Sequence, residues 1–195
     1  MEHQAIMLRD PAPLLERTLH EWGGREPLWI FGYGSLLWRR EFEVDAEWPA
    51  QVHGWHRAFR MRSRVNRGTP VQPGLVFALM AGGSCRGAVF RVPAQRVEVE
   101  LRRLWLREMP TGVYDPRWLA CRTPKGPVTA LAFTLQHNSP SHTGRLADAQ
   151  MRQILAQAQG RFGTTLDYLR ETALELRRRG IRDREVERLM RLAGD

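Results

Sequence analysis

Among the residues whose type and spacing could do chemistry, Glu108 stands out. Between Pro93 and Pro110, Val97, Leu101 and Leu104 fall at i, i+4 and i+7, and Glu108 extends the same stripe at i+11. On a helix from Ala94 to Met109 the stripe faces the interior, so the carboxylate points inward from the last turn. Glu98 and Glu100 fall off the stripe. Burial penalises an anion and a helix C-terminus repels one; both raise a carboxyl pKa toward neutrality. A group so tuned suits general acid–base work. The pattern leaves a second reading open, in which Glu108 pairs with Arg107 or Arg117 and only anchors the helix end.

The next candidate is the segment Phe31-Gly32-Tyr33-Gly34-Ser35-Leu36, where an apolar run from Leu28 enters a glycine-spaced turn. Its two glycines let the backbone approach a ligand and aim N–H groups at it. Familiar motifs do not fit. Leu37 occupies the last glycine position of GxGxxG, Tyr33 and Leu37 occupy the glycine positions of GxSxG, and no GK[ST] is present. The segment is either a binding turn for an unspecified ligand or a tight turn.

From His56 to Arg67, the arginines Arg57, Arg60, Arg62, Arg64 and Arg67 alternate with apolar and aromatic residues. In an extended strand Arg60, Arg62 and Arg64 share one face. Such a face can meet a phosphate backbone, stay solvated, or lend one arginine to a carboxylate substrate; no nucleic-acid-binding motif accompanies it. His53 and His56, three apart on a strand, point to opposite faces and share no metal. Cys85 and Cys121 form no CxxC pair and are expected to be reduced structural thiols. No spacing favours a Ser–His–Asp triad.

These residues need a scaffold. With 195 residues, 43% of them hydrophobic, the expectation is one domain with a real core. No apolar run approaches the roughly 18 residues of a membrane span. Met1 to Pro13 lacks the basic stretch and apolar core of a secretory signal, so a cytoplasmic protein is expected. The formal charge of +9 comes almost wholly from arginines dispersed from Arg9 to Arg191, with Lys125 the only lysine. It favours anionic partners in general.

Asp10-Pro11 opens a short helix carrying Leu15, Leu19 and Trp22, and Gly23-Gly24 stops it. Strands are expected at Leu28–Phe31, Val52–Met61, Leu75–Met80, Cys85–Val92, Val113–Arg122 and Val128–Leu135. Ala81-Gly82-Gly83-Ser84 reads as the turn of a hairpin. Three helices follow, Leu146–Gln159, Leu166–Arg179 and Arg184–Leu192, with Thr164 or Thr165 capping the second and Asp183 the third. Strands first and helices last argue for an α+β domain with a curved or closed mixed sheet and a helical C-terminal segment. The expected division is an N-terminal extension over residues 1–27 and a single domain over 28–195.

Taken together, Trp29 to Leu36, Arg67-Gly68-Thr69-Pro70, Pro73-Gly74-Leu75-Val76, Gly87 to Val92, Arg107-Glu108-Met109 with Gly112-Val113-Tyr114, and Asp167-Tyr168-Leu169 resemble the ChaC branch of the γ-glutamylcyclotransferases. The resemblance implies a small mixed β-barrel flanked by helices, with no metal and no organic cofactor. It implies cleavage of glutathione to 5-oxoproline and cysteinylglycine, with the catalytic glutamate at Glu108. The substrate loop falls on Ile30, Phe31, Gly32, Tyr33, Gly34, Ser35 and Leu36, and Arg67 and Tyr168 join it as substrate-binding residues. Glutathione is the expected small-molecule partner, with at most a second copy of the chain in a homodimer; nucleic acid and membrane are not expected. The alternatives are a cyclotransferase of the same fold for another γ-glutamyl amine, and a basic nucleic-acid-binding module.

Overall fold

The computed structural model describes residues 9–195, so the reading of residues 1–8 as free of a secretory signal lies outside the described residues. Five strands close into a barrel in the order β1 (Leu28–Gly32), β3 (Gly74–Val92), β2 (Ala46–Ser63), β4 (Asp115–Thr123), β5 (Gly126–Thr134). All neighbours are antiparallel except at the closure, where Trp29 and Ile30 of β1 run parallel to Ala130 and Leu131 of β5. A barrel this small is filled by its own side chains. Phe31, Phe59, Phe77, Phe90 and Phe133, all nearly or fully buried, belong to the core that the barrel shares with the elements packed on it.

The expected hairpin at residues 81–84 is absent. β3 runs unbroken through it, paired along its length with β2, and the true hairpin turn spans residues 64–73. Gly82 and Gly83 sit at positive φ opposite the single residue Gly54, between the pairs His53–Ser84 and Trp55–Ala81. Two residues against one make a β-bulge, which bends a long ribbon around the barrel. A glycine pair signals a hairpin and a bulge alike; the length of the partner strand decides between them.

Five helices dress the barrel: α1 (Ala12–Trp22), α2 (Val97–Glu108), α3 (Asp148–Gln157), α4 (Thr165–Arg178) and α5 (Arg184–Ala193). α1 ends on Gly23 in the left-handed region, and the indole of Trp105 in α2 donates to the Pro11 carbonyl at 2.9 Å. α2 lays Val97, Leu101 and Leu104 against the barrel as the stripe requires. Glu100, expected off that stripe, is completely buried and ion-paired with Arg96 at 2.9 Å, while Glu98 is exposed. Thr164 caps α4 by accepting from the Asp167 N–H at 2.9 Å, and Asp183 caps α5.

The hairpin turn is clamped to α4 by backbone contact. Thr165 Oγ1 donates to the Arg67 carbonyl at 3.0 Å and accepts from the Leu75 N–H at 3.2 Å. A Cβ at Gly74 would lie 2.0 Å from the Arg67 carbonyl oxygen and 2.3 Å from Thr165 Oγ1. Gly74→Ala must therefore push two chain segments apart and is expected to cost about 3 kcal/mol, the upper part of the overpacking range. Denaturant unfolding checks this, and a loss below about 1 kcal/mol would mean the turn yields freely.

Candidate active site

A cavity of about 410 Å³ opens where the β1 turn, the end of α2, the 64–73 hairpin and α4 meet. Glu108, the last residue of α2, lines it with a side chain 15% exposed. The chain contains only three tyrosines, Tyr33, Tyr114 and Tyr168, and all three line this cavity and are buried.

The sequence placed the loop at residues 30–36, and the structure divides it. Ile30, Phe31 and Gly32 stand in the barrel wall as part of β1, whereas Tyr33, Gly34, Ser35 and Leu36 line the cavity. Ser35–Leu37 form one 3₁₀ turn, with the Leu37 N–H donating to the Gly34 carbonyl at 3.0 Å. The N–H groups of Tyr33 and Gly34 have no acceptor among the described residues. A Cβ on Gly34 would come within 2.8 Å of the Tyr168 hydroxyl. The glycine is what lets the loop pass that phenol.

Arg107 joins the loop to the acid. It donates to Ser35 Oγ at 3.1 Å and to the Arg39 carbonyl, and its Nε lies 3.0 Å from Glu108 Oε1. The pairing that the sequence left open therefore exists, with Arg107; Arg117 instead lies over the Trp55 ring. The ion pair does not make Glu108 an ordinary carboxylate. Burial raises its pKa, Arg107 lowers it, Glu41 raises it again, and the net direction is upward.

Burial, reinforced by the Glu108 charge, pushes Tyr168 up to about 12. Burial and the same carboxylate hold Tyr33 well above the usual phenol range, and burial with the neighbouring Tyr33 and Glu108 does so for Tyr114. At neutral pH the three phenols are hydrogen-bond donors, and Glu108 is the proton acceptor among them. Tyr33 donates to the Phe133 carbonyl at 2.8 Å; Tyr168 accepts from the Phe77 N–H at 3.2 Å.

Arg67 closes the opposite wall. It is 7% exposed, its guanidinium lies 5.5 Å from the Tyr168 ring centroid, and it donates to the Thr164 carbonyl at 3.3 Å. No carboxylate of the described residues forms an ion pair with it, and burial lowers its pKa. Arg62 and Arg64 line the same wall, while Arg60 does not. A second bulge, between the pairs Ala58–Ala78 and Met61–Val76, interrupts the alternation on which a shared face depended.

Sequence reasoning did not single out Tyr114, Trp38 or Arg107 as cavity residues. Tyr114 had one readable signal: it is one of only three tyrosines and follows the Glu108 helix within a few residues. Among the described residues, no group of three or more His, Cys, Asp and Glu is placed to hold a metal ion.

Comparison with known proteins bears on the family and the fold. A glutathione-specific γ-glutamylcyclotransferase of Escherichia coli K12 is 38% identical over 158 residues, covering 80% of this chain and 68% of that protein. Glutathione-specific γ-glutamylcyclotransferase 1 of Mus musculus is 31% identical over 166 residues, covering 82% of this chain and 74% of that protein. The crystal structure of a γ-glutamyl cyclotransferase specific to glutathione from yeast superposes with a TM-score of 0.80. It covers 87% of this chain and 96% of its own at 17% identity, which establishes a shared fold. The family profile described as ChaC-like protein matches residues 28–194, and this chain, with its barrel, glycine loop and inward glutamate, belongs to the ChaC-like family.

Proposed function

We propose that this chain is a glutathione-specific γ-glutamylcyclotransferase, a lyase that releases 5-oxoproline and cysteinylglycine, with Glu108 as the general base and acid. The observation that carries the reading is the Glu108 carboxylate at the end of α2, raised in pKa and lining the cavity beside three neutral phenols.

The substrate's α-ammonium has a reference pKa of about 8 and must lose a proton before its nitrogen can attack. Glu108 accepts that proton. The freed amine adds to the γ-carbonyl of the same glutamyl group, closing a five-membered ring and placing negative charge on the carbonyl oxygen. Collapse of this intermediate breaks the bond to the cysteinyl nitrogen, which takes the first proton back from Glu108, and the ring nitrogen sheds its second proton to the carboxylate so freed, leaving a neutral lactam. Because the attack is intramolecular, the protein's work is to hold the reactive conformer and to move protons from the attacking to the leaving nitrogen. The free N–H groups of Tyr33 and Gly34 suit the α-carboxylate or the developing oxyanion, and the phenols add neutral donors. Arg67, buried without an ion-pair partner among the described residues, suits the distal carboxylate of the tripeptide.

The same reading places the protein in the cytoplasm and includes no cofactor, nucleic acid or membrane. No described helix is long and apolar enough to cross a bilayer. A homodimer is compatible with it.

Glu108→Gln is expected to bind glutathione and lose at least nine-tenths of its turnover, given the roughly 10²–10⁴-fold size of general-base effects. Glu98→Gln, an exposed position on the same helix, is the control; Glu100 is unsuitable because it is buried and ion-paired. Only ionised Glu108 can take the proton, so kcat/KM falls as pH drops through its raised pKa. A pH profile with an acid limb at the ordinary carboxylate position near about 4 contradicts the assignment.

Gly34→Val should raise KM steeply or abolish turnover, since the added carbons collide with the Tyr168 hydroxyl. A soluble variant with wild-type KM would reduce the loop to a connector. Arg67→Ala should lower kcat/KM for glutathione by about 1.5–3 kcal/mol, the size of a charged hydrogen bond, and spare γ-glutamyl-alanine. Equal losses on both substrates assign Arg67 elsewhere, and a wild type that prefers the dipeptide favours another γ-glutamyl amine as substrate.

A further inference from the structure

Arg57 belongs to no part of the mechanism above, yet its side chain is only 2% exposed. Its guanidinium meets three acceptors from three distant segments. Nε donates to the Tyr33 carbonyl at 2.6 Å, Nη2 donates to the Arg86 carbonyl at 2.6 Å, and Nη1 pairs with Asp183 Oδ2. Asp183 uses its other oxygen to accept the N–H groups of Glu185 and Val186, both at 3.1 Å, and so caps α5. One carboxylate thus starts the last helix and neutralises a buried cation.

A buried guanidinium without a counter-charge is costly, so the ion pair is what keeps Arg57 in place behind the loop. Tyr33 is then fixed at both ends, its carbonyl by Arg57 and its hydroxyl by the Phe133 carbonyl. The peptide joining Tyr33 to Gly34 is trans and planar, so its C=O and N–H point in opposite directions. Drawing the Tyr33 carbonyl toward Arg57 aims the Gly34 N–H the other way, on the side where Gly34 lines the cavity.

We infer that Arg57 is a positioning residue for the substrate loop, held by Asp183, so that the cap of α5 sets the aim of the Gly34 N–H. The inference rests on the cyclotransferase reading for its effect on catalysis, but not for its effect on the loop.

Asp183→Asn is the sharpest variant, because asparagine caps a helix about as well as aspartate while the charge is lost. Val186→Ala is the control: it loosens the packing of α5 and leaves the ion pair intact. Asp183→Asn is expected to raise KM for glutathione about tenfold and change kcat by less than about threefold, a loss of positioning rather than of the base. Val186→Ala should leave KM within about twofold of wild type. Amide hydrogen exchange without substrate is the activity-independent arm: exchange over Leu37–Arg39, whose N–H groups donate to the Gly34 and Ser35 carbonyls, should quicken in Asp183→Asn and not in Val186→Ala. An unchanged KM in an active Asp183→Asn enzyme, or the same KM rise in both variants, overturns the positioning role, and so does unchanged exchange. A wild type inactive on glutathione fails the cyclotransferase reading instead, and the exchange arm still decides the role of Arg57.

Discussion

Placing the Glu108 carboxylate at the C-terminal end of a helix, among aromatic rings, costs free energy twice over. Burial removes it from water, and the helix presents its negative end to it. A protein selected for stability alone would place a lysine or arginine there. Arg107 offsets part of the cost at 3.0 Å but leaves the pKa raised. Much of the surrounding structure follows from keeping that carboxylate buried and reachable. Phenols supply neutral neighbours, Arg107 ties the acid to Ser35, and the barrel mouth stays open as a cavity instead of closing into core.

The barrel's role is to bring distant segments to one end. Its two long strands, β2 and β3, make a ribbon that must bend to close, and the glycines at 54, 82 and 83 permit the bend. The second bulge, beyond Ala58, breaks the alternation just before the arginine run, and Arg62 through Arg67 all line the cavity. α4 contributes Tyr168 to the cavity and clamps the 64–73 turn through Thr165. Tyr168 also touches the glycine loop, so the same helix fixes both walls.

The sequence made this site legible where one local rule governed the side chain. Helical periodicity alone aimed Glu108 inward, and Thr164 and Asp183 were readable as caps because their chemistry is local. It was less legible where long-range pairing decided. Gly82-Gly83 read as a turn because nothing nearby shows that β2 continues as a partner past it. Glu100 read as off the buried stripe because periodicity cannot see that Arg96 and Arg103, themselves partly or largely exposed, reach in to pair with it. The placements of Tyr114 and Arg57 were not legible for the same reason: their partners, Tyr33 and Asp183, lie far away in the chain.

The central claim is that Glu108 drives attack by the substrate's own amine, with no water molecule entering the product. The most direct measurement is turnover of glutathione by the pure protein in water enriched in oxygen-18, with the glutamyl-derived product weighed by mass spectrometry. The account predicts 5-oxoproline carrying no label, because its γ-carbonyl oxygen never leaves. Free glutamate carrying the heavy oxygen would show hydrolysis through an activated water, and would contradict the account.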